Sequence, residues 1–124
     1  MKTYDEIVAG NITAARARRK LSQREVAERM EVFGFGWRQQ IVAAAENGRR
    51  KISIEEMLGL ALALETSFVS LLEPVRDEEP IRLPSGDELP TGVIHDLIWG
   101  PQVGRVIPNR PRYPRPERQE GDKP

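Results

Sequence analysis

The chain has 124 residues, 39% of them hydrophobic, and its nineteen Lys/Arg are balanced by nineteen Asp/Glu. Zero net charge argues against a protein that coats nucleic acid regardless of sequence. The lack of cysteine excludes disulfides, thiolate zinc sites and cysteine nucleophiles, and fits a reducing cytosol.

The charge is unevenly placed. Residues 1–72 carry eleven Lys/Arg against nine Asp/Glu, residues 73–98 two against seven, and residues 99–124 six against three. An acidic stretch therefore lies between two mildly basic ones. The opening "MKTYDEIVAG" has no long apolar run, so it reads as neither signal peptide nor membrane span.

Taken in chain order, Tyr4 to Lys20 reads as a first helix, with Ile7, Val8, Ile12, Ala15 and Arg19 at helical spacing. Gly10 and Asn11 weaken it, since Gly costs about 1 kcal/mol against Ala in a helix interior. Ser22 with Glu25 forms a capping box that opens a second helix, running to about Phe33. Val26, Ala27, Met30 and Phe33 are its expected inward residues. The "GFG" at Gly34 to Gly36 breaks it and lets the chain reverse.

A third helix is expected from Trp37 to Glu46, stopped by Asn47-Gly48. Ser53 with Glu56 opens a fourth, through about Leu64. Its residues Ile54, Met57, Leu58, Leu60, Ala61, Leu62 and Leu64 are apolar on most sides, which places it in the middle of a bundle. Ser67 caps a fifth, Phe68 to Leu72, ended by Pro74.

Beyond Pro74 the pattern changes. Ile81 to Leu83 reads as a short strand, Pro84 to Asp87 as a turn, and Thr91 to Trp99 as a short helix. The tail has too little apolar surface to fold, and its prolines favour an extended chain. Three parts follow: a helical domain over 1–74, a small extension over 75–105, and a disordered Pro/Arg-rich tail over 106–124.

Five short helices with a tight second-third pair describe an all-α bundle built around a helix-turn-helix. The stretches "LSQREVA", "QQIVAAAENGRR", "SIEEMLGLALAL" and "SFVSLL" occur in that order between about Ile12 and Leu72. In them the sequence resembles the phage-repressor and Cro type of bacterial transcription regulator, the XRE-like family. The resemblance implies that the third helix enters the major groove of double-stranded DNA, which admits one α-helix.

On that resemblance Arg38, Gln39 and Gln40 would meet base edges, with Ala43 and Ala44 a turn later. Gln suits adenine, Arg suits guanine, and Ala can touch a thymine methyl. Gln23 would contact a phosphate or brace the third helix. Asn47, Arg49, Arg50 and Lys51 would clamp the DNA backbone, setting affinity and salt sensitivity without choosing sequence. Glu46 would form a partly buried structural ion pair with Arg16.

The sequence departs from the short phage form at "EVFGFGW", where the connection is wider. Phe33 and Trp37 are expected to pack over this hinge. Phe35 is open to packing, or to contact with DNA or a partner.

His95 is the single histidine, which with no cysteine cannot make an ordinary zinc site; no metal or cofactor is expected. No cluster suggests catalysis, so an enzyme is not expected. Leu89, Val93, Ile94, Leu97, Ile98 and Trp99 form an apolar set that either docks back on the helical domain or meets a partner. The resulting expectation is a cytoplasmic repressor of phage or mobile-element type, binding operator DNA as a homodimer. The alternative is an antitoxin or adaptor that uses residues 75–105 to hold a protein.

Overall fold

The structure, a computed structural model, describes residues 2–75 and 79–100. Its elements are α1 (Tyr4–Arg18), α2 (Gln23–Val32), α3 (Gln39–Glu46), α4 (Ile54–Ala63), α5 (Phe68–Leu72), β1 (Ile81–Arg82), β2 (Glu88–Leu89) and α6 (Thr91–Trp99). The disordered tail expected over 106–124, and the last residues of the extension, lie outside the described residues.

The helix starts follow from local chemistry. Thr3 with Glu6, Ser22 with Glu25, and Ser53 with Glu56 each form a capping box at the start of α1, α2 and α4. In each, the hydroxyl accepts from the third helical N–H and the glutamate accepts from the cap N–H, which satisfies two otherwise orphaned donors. The ends are satisfied from neighbouring helices. Tyr4 Oη donates to the Leu72 carbonyl at 2.7 Å, and Asn11 Nδ2 to the Leu71 and Glu73 carbonyls at 2.9 Å each. Asn11 therefore weakens α1 locally while fastening the end of α5 to it.

The core lies where α1, α2, α3, α4 and α5 converge. Ile12, Val26, Met30, Val42, Leu60, Leu64 and Leu71 are its most deeply buried side chains. Burying each such side chain contributes roughly 1.5–3 kcal/mol. Arg19, which continues the helical spacing of Ile12 and Ala15, turns outward; its guanidinium caps α4 through the Leu64 and Glu65 carbonyls at 3.3 and 2.8 Å. A charged head left in water with its donors on open helix carbonyls is cheaper than one in the core.

The connection between α2 and α3 corrects one expectation and decides another. Phe33 does not face inward: it is the C-cap of α2 and is 46% exposed. The chain reverses at Gly34, whose φ of 92° is in the region glycine favours, and it is Phe35 that packs on the core. Phe35 lies over Gly59 of α4, where a Cβ would come within 2.6 Å of the Phe35 ring and 3.1 Å of Met30 Cε. Gly59 thus lets the ring close over the helix backbone. A fourth helix in the middle of the bundle is also not what the structure shows. Ile54, Leu58 and Leu62, four residues apart along α4, are 88%, 48% and 52% exposed.

The extension docks on the helical core. β1 and β2 pair antiparallel with Ile81 opposite Leu89, and the Arg82 N–H donates to the Lys2 carbonyl at 2.9 Å. The second strand, β2, is absent from the sequence reading; two residues are too short to show an alternating pattern. Ile81, Leu89, Val93 and Ile94 close a second small core with Ile7 of α1. At the other side His95 Nδ1 lies 2.8 Å from Glu73 Oε1, and Trp99 Nε1 donates to the same oxygen at 3.1 Å. Leu97 and Trp99 of the expected apolar set stay exposed, at 72% and 62%. No helix among the described residues is long and apolar enough to cross a membrane.

Candidate nucleic-acid interface

The α3 sequence QQIVAAAE separates into two faces. Val42 and Ala45 are buried against the core and Ile41 is partly buried beside them. One turn of helix away, Gln39 and Gln40 are exposed, with Ala43 and Ala44 half-buried and Asn47 exposed at the end. The helix is two residues shorter than expected. Trp37 is not in it, and Arg38 is its N-cap, in an extended conformation with no side-chain cap bond. Arg38 therefore projects from the start of α3 with its side chain uncommitted to capping.

The end of α3 is closed by its own backbone. Gly48 N–H reaches the Ala45 carbonyl and Arg49 N–H the Ala44 carbonyl, the crossed pair of bonds that turns a chain out of a helix. This places Asn47, Arg49 and Lys51 in one exposed loop directly after the helix.

Arg16 and Glu46 pair as expected. Arg16 Nε and Nη2 donate to the two Glu46 oxygens at 2.6 and 2.9 Å, and Nη1 donates to the Leu21 carbonyl at 2.9 Å. The Glu46 side chain is only 6% exposed. Burial pushes its carboxyl pKa up, but hydrogen bonds from Arg16 and Gln23 outweigh that and hold it below the ordinary value. Gln23 Nε2 lies 3.3 Å from Glu46 Oε1, so of its two expected roles the structure shows the bracing one.

Arg50 occupies a different place from the other cations of the loop. Its Nη1 and Nη2 donate to Glu56 Oε1 and Oε2 at 3.0 and 2.7 Å, and its guanidinium carbon sits 5.0 Å from the centre of the Trp37 ring. Trp37, 5% exposed, donates its own N–H to Glu56 Oε2 at 3.0 Å. The Arg50 hydrogen bonds, with further donors from the Ser53 backbone and Trp37, depress the Glu56 carboxyl to about 2, against the opposing effect of burial. Sequence reasoning found Glu56 as a cap and Trp37 as a hinge residue. It missed that the two meet through Arg50, because nothing in their spacing marks a contact between a turn, a loop and the next helix.

A short buried-backed helix with a bare polar face, entered by a preceding helix through a tight connection, defines a helix-turn-helix protein. Residues 12–71 match the helix-turn-helix family model. This segment, just under half of the chain, is a helix-turn-helix of the XRE-like type, the kind of domain that DNA-binding transcription regulators carry. Among solved structures, the hypothetical transcription factor NHTF from Neisseria is 26% identical, covering 60% of this chain and 79% of its own, with a TM-score of 0.52. The clp gene regulator ClgR from C. glutamicum, at 22% identity and a TM-score of 0.52, covers 58% and 87% and shares the fold. No curated protein sequence matches the chain.

Proposed function

We propose that the chain binds a specific duplex DNA sequence, acting as a repressor at an operator. The observation that carries this reading is the bare face of α3: Gln39 and Gln40 are exposed while the opposite side of the same helix is locked by Val42, Ala45 and Glu46. A helix fixed on one side and open on the other can present side chains to base edges at little ordering cost. Arg38, Gln39, Gln40, Ala43 and Ala44 read bases, each good bidentate pair giving about 1–3 kcal/mol of discrimination. Asn47, Arg49 and Lys51 hold phosphates, with Gln23 bracing α3 through Glu46 and Arg50 reduced to a supporting part by its engagement with Glu56. The protein acts in the cytoplasm, with residues 1–74 as the DNA-binding unit, as a homodimer on half-sites one helical turn apart.

Selection from a random duplex pool tests this. A recovered motif with two-fold symmetry is expected. Recovery of no common motif overturns the reading.

One observation favours a second role for the extension over 75–105. Leu97 and Trp99 lie exposed on a segment that is otherwise docked, a surface suited to a protein partner. Replacing both by Ser leaves DNA selection intact if they serve a partner, and weakens it if they support the DNA-bound dimer.

A further inference from the structure

We propose that Glu56, on α4, is a positioning residue for the DNA-reading helix α3, and that Trp37 and Arg50 are the two arms through which it acts. This inference rests on the DNA-binding reading of α3 and assigns a residue outside that helix to its specificity.

The geometry carries it. Trp37 lies two residues before α3 begins and Arg50 four residues after it ends. Both deliver donors to one carboxylate: Trp37 Nε1 at 3.0 Å, and the Arg50 fork at 3.0 and 2.7 Å. The Ser53 N–H adds a fourth donor at 2.9 Å. The two arms also touch each other, with the Arg50 guanidinium over the Trp37 ring. A bidentate guanidinium–carboxylate pair fixes orientation as well as distance, and a cation over an indole face adds to it.

The consequence is that the segments entering and leaving α3 are tied to the same point on α4. Among the described residues, no other side-chain hydrogen-bond partner is shared by the glycine-containing connection before α3 and the loop after it. Translation of α3 along its axis would stretch one arm or the other, whereas Arg16–Glu46 holds only the final turn of α3 to α1. Glu56 therefore fixes how far α3 projects, and with it whether Gln39 and Gln40 reach base edges together. The long connection "EVFGFGW" requires such a device, because a wider turn constrains the helix angle less than a three- or four-residue one.

Glu56→Gln separates positioning from folding. Glutamine preserves the capping box at the start of α4, but it loses the charge and cannot accept both arms of the Arg50 fork. Two readouts are taken at a temperature where the far-ultraviolet circular dichroism of variant and parent coincide. In a Trp99→Phe background Trp37 is the one remaining tryptophan, so its emission and its quenching by acrylamide report on the clamp without DNA. Affinity is then measured for the duplex selected by the parent chain and for a random-sequence duplex of the same length.

The expected result is red-shifted, more readily quenched Trp37 emission, with a roughly tenfold loss of affinity for the selected duplex, the scale of a lost charge-assisted pair. Affinity for the random duplex stays within about twofold, since phosphate contacts are retained. Arg50→Lys, which keeps charge but not the fork, falls between parent and Glu56→Gln. Should Glu56→Gln not fold, Trp37→Phe, which removes the indole N–H together with part of the ring, is read for the same loss of discrimination. If the parent discriminates and the variants discriminate equally well, the positioning role is overturned while the DNA-binding reading stands. If the parent itself shows no preference between the duplexes, the reading falls, and the positioning role with it.

Discussion

Two glutamates hold α3 in place, and they differ in kind. Glu46 belongs to the helix, is almost wholly covered, and fastens the last turn to α1 through Arg16. Glu56 belongs to the next helix, pairs with an Arg50 that keeps a third of its surface in water, and gathers the two segments flanking α3. The first pair is a structural bolt whose loss orphans a buried charge. The second is a brace whose loss changes an angle. On the proposed reading, the difference teaches that the stability and the aim of α3 are carried by separate contacts.

The sharpest way to break this comparison is to remove the bolt. Glu46→Ala should lower the unfolding free energy by about 3–5 kcal/mol, because Arg16 is left part-buried without its partner. Urea denaturation followed by circular dichroism measures it, and a loss below that of the brace would reverse the ranking. Close behind comes Gly59→Ala, where the added Cβ must displace Phe35 and Met30; overpacking of this kind costs roughly 1–3 kcal/mol. The brace itself is expected to be weaker. Arg50→Ala should cost about 1–2 kcal/mol, reflecting charged hydrogen bonds in a partly solvated setting.

Acid sharpens the contrast further. Glu46 and Glu56 both have folded pKa values below the ordinary 4.5, and Glu56 falls to about 2. A depressed carboxylate adds stability that is complete above the unfolded value and is lost as pH falls toward the folded one. Stability should therefore decline between about pH 5 and pH 2. The slope should flatten in Arg50→Ala, whose Glu56 no longer has that partner. A slope unchanged by Arg50→Ala would show that Glu56 contributes nothing to it. The smallest effect is expected at Ile54. Being 88% exposed, its change to Ser should alter stability by no more than about 0.5 kcal/mol.

Much of the helical part could be read from residues alone, because its signals are local. Ser-x-x-Glu pairs fixed the starts of α2 and α4, and Asn47-Gly48 fixed the end of α3. The Arg16–Glu46 pair was legible through the family resemblance. What stayed hidden was decided by tertiary contact. Trp37 reads as helical by proximity to "RQQIVAAAE", yet its indole is held by Glu56 and the helix begins only after the extended Arg38. Phe33 and Phe35 are equivalent as letters, and only the reversal at Gly34 determines which one meets the core. Ile54, Leu58 and Leu62 look like core in an apolar helix, but no described element covers that side of α4. In the extension, the expected turn and helix were visible, whereas its docking on Ile7 depends on a separation along the chain of more than seventy residues.

The central claim is that the exposed face of α3 chooses DNA sequence. Its most direct test is a competition between the selected duplex and random duplex for a chain carrying Gln39→Ala and Gln40→Ala. Both positions are exposed, so the fold and its unfolding midpoint should be unchanged, while preference for the selected duplex disappears. A doubly substituted chain that folds normally and keeps the parent's preference would contradict the account.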